Sequence, residues 1–164
     1  MLEGNVKKSI VVVPESEKGS EPYIESFGKA NTQFLNFVKS IEEVTGQGFS
    51  KLSLTGHSEG YQGLNTVLAW PPVKEKVKDV AIFDGAYKST LNISNWANQM
   101  SGGQMWVSWT AGGPVEEKSK MFINRIEDKS KVIQRISKIF SVQPHFENIR
   151  DGGIAEFIAK SEDK

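Results

Sequence analysis

With 164 residues, the chain is long enough for one domain with a single buried core and too short for two. It is 38% hydrophobic and 24% charged, the balance of a soluble globular protein, and its 20 basic and 20 acidic residues cancel, which argues against nucleic acid or an anionic membrane as a general partner. Cysteine is absent, so disulfides, thiolate metal sites and cysteine nucleophiles are excluded.

The polar start, Met1 to Lys8, leads into a first apolar run of only Ile10 to Val13. That is too short for a signal-peptide core or a membrane span, and no later stretch is long enough either; without a visible signal peptide, a cytoplasmic location is slightly favoured. Ser9 to Val13 reads as a fully buried strand, followed by a polar loop running to Pro22. From Ala30 to Val44, Phe34, Leu35, Val38 and Ile41 recur at helical spacing, and Gly46 closes that helix. Lys51 to Thr55 is a second strand, and a helix from Glu59 to Ala69 stops at Trp70-Pro71-Pro72.

Val77 to Phe83 and Gln104 to Thr110 are the third and fourth strands. Met121, Phe122, Ile126, Ile133, Ile136 and Phe140 predict one or two further helices broken near Ser130, and a last helix covers Gly153 to Lys160. Strands alternating with helices predict one α/β domain over residues 1–164: a mostly parallel sheet with helices on both faces. A basic run from Lys118 to Lys138 reads as a solvated helical face.

The second strand runs straight into Gly56-His57-Ser58-Glu59-Gly60, a G-x-S-x-G, and then into a helix. A serine nucleophile needs a tight strand-to-helix turn that lifts its hydroxyl above the sheet edge, and small residues at Gly56 and Gly60 relieve crowding there. The helix start behind the serine faces amide donors toward developing negative charge. Ser58 needs a base to take its proton. Of the two histidines, His57 sits on the turn and reads as packing within it, which leaves His145, near the last helix. A carboxylate must orient the imidazole, and Asp84, ending the third strand, is the candidate, with Glu116 in reserve.

Ser58, Asp84 and His145, in that order, resemble the α/β-hydrolase superfamily, and specifically its lipase- and esterase-like members. The resemblance implies a small serine hydrolase with Ser58 as nucleophile, His145 as base and Asp84 as acid. It also implies the Glu59 backbone amide as one oxyanion donor, a small-molecule ester or acyl substrate, and no cofactor. An acid one strand after the nucleophile is a variant known among lipases. The chain departs from the family in lacking the early strands and the His-Gly loop that normally gives the second oxyanion donor; Gly19-Ser20 is the candidate replacement. With one donor missing, about 3 kcal/mol of transition-state stabilisation is lost. The alternative is therefore a non-catalytic binding or scaffold module of the same fold.

Tyr87 is a candidate wall of the substrate pocket, while Met105, Trp106 and Trp109 read as core. No metal-ligand cluster, phosphate-binding loop or dinucleotide fingerprint is present in the sequence, and oligomeric state is not legible.

Overall fold

The computed structural model describes residues 10–12, 21–28, 32–137 and 153–162. Four parallel strands form one sheet in the order β1 (Leu52–His57), β2 (Val77–Phe83), β3 (Met105–Thr110) and β4 (Val132–Ser137). Seven helices accompany them among the described residues: α1 (Glu21–Gly28), α2 (Gln33–Thr45), α3 (Tyr61–Val67), the single turn α4 (Pro71–Lys74), α5 (Leu91–Gln99), α6 (Glu116–Asn124) and α7 (Gly153–Glu162).

The strand order explains the layering. Every crossover steps in the same direction across the sheet, so right-handed connections lay α3 to α6 on one face. That face holds the larger core: Val80 and Ile82 of β2 and Met105, Val107 and Trp109 of β3 meet Leu64, Val73, Ile93, Trp96 and Phe122. The alternate residues point the other way, where Ala81, Phe83 and Trp106 meet Phe157 of α7. The rings of Trp106 and Phe157 meet edge to face at 5.8 Å, and Lys160 Nζ lies 5.1 Å from the Trp106 ring. The α/β class with helices on both faces is thus observed. β2 and β3 are buried along nearly their whole length because both faces are covered, which is why they read as continuous apolar runs.

Three expectations are corrected. Ile10, Val11 and Val12 are 36%, 51% and 42% exposed and outside any strand, so the described part of the first run is not a buried strand. β-branched residues favour extended backbone, but only a paired neighbour makes a strand. Val132 to Ser137 is the fourth strand rather than a helix, and it pairs with β3 from Met105↔Val132 to Thr110↔Ser137. As far as Arg135 the basic run therefore crosses a helix, a turn and a strand rather than one helical face; most of its side chains are exposed, and several have partners. Lys118 donates to the Tyr87 carbonyl, Lys120 pairs with Glu116, Lys129 caps the Ile123 and Ile126 carbonyls, and Arg135 faces Glu156.

Two helices, α1 and α5, occupy stretches read as loop or left unassigned. Pro22 lies in the first turn of α1, where its missing N–H costs no helical hydrogen bond. Phe27 of α1 then packs edge to face on Phe34 of α2, with centroids 5.4 Å apart.

At the amino ends of the strands, buried Asp79 accepts from the Gln104 N–H at 2.8 Å and the Ser53 hydroxyl at 3.2 Å, tying β1, β2 and the approach to β3 together. A concavity of about 900 Å³ opens on that edge, lined by Lys51, Ser53, Lys78, Trp96 and Met100 among others, on the opposite side of the sheet from Ser58. No helix among the described residues is long and apolar enough to cross a membrane.

Candidate active site

β1 ends at His57, and the next three residues, Ser58–Gly60, form a 3-10 turn leading into α3. His57 pairs in register with Phe83, the last residue of β2. Ser58 and Asp84 therefore each follow one member of a matched pair, at the carboxyl edge of adjacent parallel strands, where backbones run about 4.8 Å apart. Open α/β sheets hold their ligands at this edge.

Among the described residues, Ser58 (φ 51°) and Asp84 (φ 48°) are the two non-glycine residues with positive φ. Each costs roughly 1–3 kcal/mol of backbone strain, which persists only where the surroundings enforce it. The enforcement is visible in two glycines. A Cβ on Gly56 would sit 2.9 Å from the Gly60 carbonyl carbon and 3.0 Å from Leu64, so strand and helix meet there without room for a side chain. A Cβ on Gly85 would sit 2.7 Å from the Ser58 carbonyl oxygen. The turn after β2 thus presses directly on the turn after β1.

Gly60 behaves differently from expectation: a Cβ there would meet nothing within 4 Å. Its place in the motif is to offer bare backbone to Gly56, with its own Cα facing outward. The two glycines accordingly predict opposite outcomes. Gly85→Ala should cost about 1–3 kcal/mol of stability by overpacking and should displace Ser58. Gly60→Ala should change stability by no more than about 0.5 kcal/mol. Denaturant melts of the two variants check both.

Asp84 is buried, at 1% exposure. Its N–H donates to the Ser108 carbonyl at 2.8 Å, and its Oδ1 accepts from the Thr110 N–H at 3.1 Å, so the end of β3 fixes its carboxylate. Glu116, the reserve acid, is engaged otherwise. It accepts from the Gly112 N–H at 2.6 Å and pairs with Lys120 at 2.7 Å, and these bonds hold its carboxyl below the usual glutamate value. It braces the start of its own helix.

Ser58 is partly exposed. Burial pushes the Tyr87 phenol above the usual tyrosine value; the Ser58 side chain works against this, and the charges of Asp84 and Glu59 add to it. Tyr87 is half-buried beside Tyr61, with ring centroids 6.4 Å apart, and the Tyr87 carbonyl is held by Lys118 Nζ at 2.9 Å. The Tyr61 phenol is raised mainly by burial, against a backbone hydrogen bond with Lys88 that lowers it.

Glu59 is the second residue of the 3-10 turn, so its amide directly follows Ser58. His57 is half-buried and shares the register position of Phe83, which points to the α7 face. His145, Gly19 and Ser20 lie outside the described residues. Met105, Trp106 and Trp109 are core, each at most 1% exposed. No group of three or more His, Cys, Asp or Glu among the described residues is placed to hold a metal ion. What sequence reading misses is the close approach of Gly85 to the Ser58 turn, which joins the two strand ends.

Comparisons with protein-family models, with curated proteins and with solved structures gave no match to the chain.

Proposed function

We propose that the protein is a serine hydrolase acting on ester bonds, with Ser58 as nucleophile, Asp84 as the acid of the triad and His145 as the base. The observation that carries this reading is the paired strain. The two residues singled out by the motif and by the strand order are the two non-glycine residues held at positive φ among those described, on adjacent strand ends locked together through Gly85. Strain of this kind accumulates where a side chain must project from a turn for chemical reasons.

In this mechanism, Ser58 Oγ bonds to the ester carbonyl carbon as its proton passes to the His145 imidazole. The carbonyl π electrons move to oxygen, and the Glu59 amide donates to that oxyanion. Collapse breaks the bond to the alcohol, which leaves with the proton from the imidazole. Water then repeats the sequence on the acyl-enzyme and releases the acid. Asp84 holds the imidazole tautomer and balances its transient charge.

A small chain with a pared-down site favours substrates with good leaving groups. Short activated esters, such as p-nitrophenyl acetate and butyrate, should be turned over, and peptides of comparable size should not, because amine expulsion needs protonation as well as oxyanion stabilisation. Release of p-nitrophenolate, set beside peptide cleavage followed by mass spectrometry, tests the reading. No ester turnover by the folded protein would favour the non-catalytic module instead.

A further inference from the structure

We propose that the concavity at the amino ends of the strands is a second binding site, for a small phosphomonoester with an apolar or ring-shaped body. The site does not depend on the hydrolase reading. It lies at the edge of the sheet opposite Ser58 and Asp84 and shares no residue with them.

The first argument is charge. Three lysines line this concavity from separate places in the chain: Lys51 just before β1, Lys74 at the end of α4 and Lys78 in β2. Against them the described lining sets a single acidic side chain, Glu75. Lys51 and Lys74 pair with no acidic side chain among the described residues. In a chain of zero net charge, this is a local concentration of one sign in a cleft, which repels itself and draws anions. Ammonium groups hold phosphate as point charges, and a phosphomonoester is largely a dianion at neutral pH.

The second argument is that the floor is built. The register passes from Leu52↔Val77 to Ser53↔Asp79, so Lys78 is the extra residue of a β-bulge. Bulges at sheet edges re-aim a side chain. Here the Lys78 ammonium donates to the Ser161 carbonyl at 2.8 Å and lies 3.8 Å from buried Asp79, which leaves it further N–H capacity for a ligand. Gly103, at φ 88°, presses on the same bulge: a Cβ there would collide with the Lys78 carbonyl. The turn after α5 and the bulge are thus fixed against one another before any ligand arrives.

The third argument is size and polarity. At about 900 Å³ the concavity falls within the range of small-molecule sites and far exceeds a bare phosphate. Val77, Trp96 and Met100 give it an apolar stretch beside the lysines. A ligand that joins an anionic group to an apolar body uses both.

The test titrates phenyl phosphate, benzoate and inorganic phosphate into the isotope-labelled full chain at neutral pH and follows backbone amide signals by NMR. Phenyl phosphate should move the signals of Val77, Lys78, Ser101 and Gly103 along a saturable curve. It should bind about tenfold more tightly than benzoate, which has one charge, and than inorganic phosphate, which has no ring. Lys51→Gln and Lys74→Gln should each weaken it by roughly three- to tenfold and reduce its salt dependence. Glu75→Gln should tighten it by roughly a few-fold, a gain that a merely structural role would not give. Lys88→Gln, at the other edge of the sheet, should leave it unchanged. Should a lysine variant lose its fold by circular dichroism, Glu75→Gln and the ranking of the three probes still decide. Shifts that do not saturate, equal affinity for all three probes, or affinity unmoved in folded Lys51→Gln, Lys74→Gln and Glu75→Gln overturns the assignment. Ester turnover plays no part in these readouts, so failure here leaves the hydrolase reading standing, and failure of that reading leaves this site standing.

Discussion

Asp84→Asn should lower kcat for ester hydrolysis by roughly 10³–10⁴ with little loss of stability, as expected when a triad carboxylate is neutralised. The fold should survive because asparagine has the same shape and keeps an Oδ1 acceptor for the Thr110 N–H, the bond that anchors this side chain at 3.1 Å. What disappears is the negative charge that would stabilise an imidazolium and select its tautomer. Glu116→Gln provides the contrast. Its carboxylate is committed to the Gly112 amide and to Lys120, so the substitution should trim the stability of the loop before α6 and leave kcat within a few-fold. Steady-state kinetics on both variants settle the choice. Near-normal turnover in Asp84→Asn combined with a large loss in Glu116→Gln would transfer the acid role to Glu116.

Ser58→Ala should be more severe, with kcat falling by roughly 10⁵–10⁶, since removing the nucleophile of a triad leaves only residual catalysis by the rest of the site. Alanine retains a Cβ at φ 51°, so the strained turn, the close approach of Gly56 to Gly60 and the contact with Gly85 all persist. The thermal midpoint should therefore stay within a few degrees of wild type. A loss of activity without a loss of fold separates chemistry from packing at this position.

Much of this arrangement was legible in the residues, for identifiable reasons. β2 is legible with its observed bounds and β3 closely, because both faces are covered and their residues are mostly apolar, while β1 shows through the alternation of Leu52 and Leu54 with exposed Ser53 and Thr55. α2 was readable because Phe34, Leu35 and Val38 form one stripe ending at Gly46, which takes the left-handed conformation at φ 68°. The elbow was readable because few structural demands place glycines on both sides of a serine between a strand and a helix.

The failures share a cause, which is that pairing and covering are tertiary events. Among the described residues β4 is an edge strand covered only in part, and Val132, Ile133 and Ile136 fall at spacings that a helix also uses. Ile136 is 56% exposed, so its apolar character reported no core. α5 does carry a stripe, Ile93, Trp96 and Ala97, all buried, but it is diluted by Asn92, Ser94, Asn95 and Asn98, poor helix formers. The Asn92 side-chain amide donates to the Asn65 carbonyl at 2.8 Å. At the site, the sequence marked Ser58 and Asp84 but not the contact between their turns. Gly85 reads as half of an Asp-Gly turn until it is seen that a Cβ there would sit 2.7 Å from the Ser58 carbonyl oxygen.

The central claim is that Ser58 is a nucleophile held ready by its turn. Incubation of the full chain with an alkyl fluorophosphonate, followed by intact-mass and peptide mass spectrometry, tests it most directly. The expected result is a single stoichiometric phosphonyl adduct on the peptide containing Ser58, absent from Ser58→Ala and strongly slowed in Asp84→Asn. A folded protein that takes up no adduct, or carries it on another residue while Ser58→Ala labels as well as wild type, would contradict the claim.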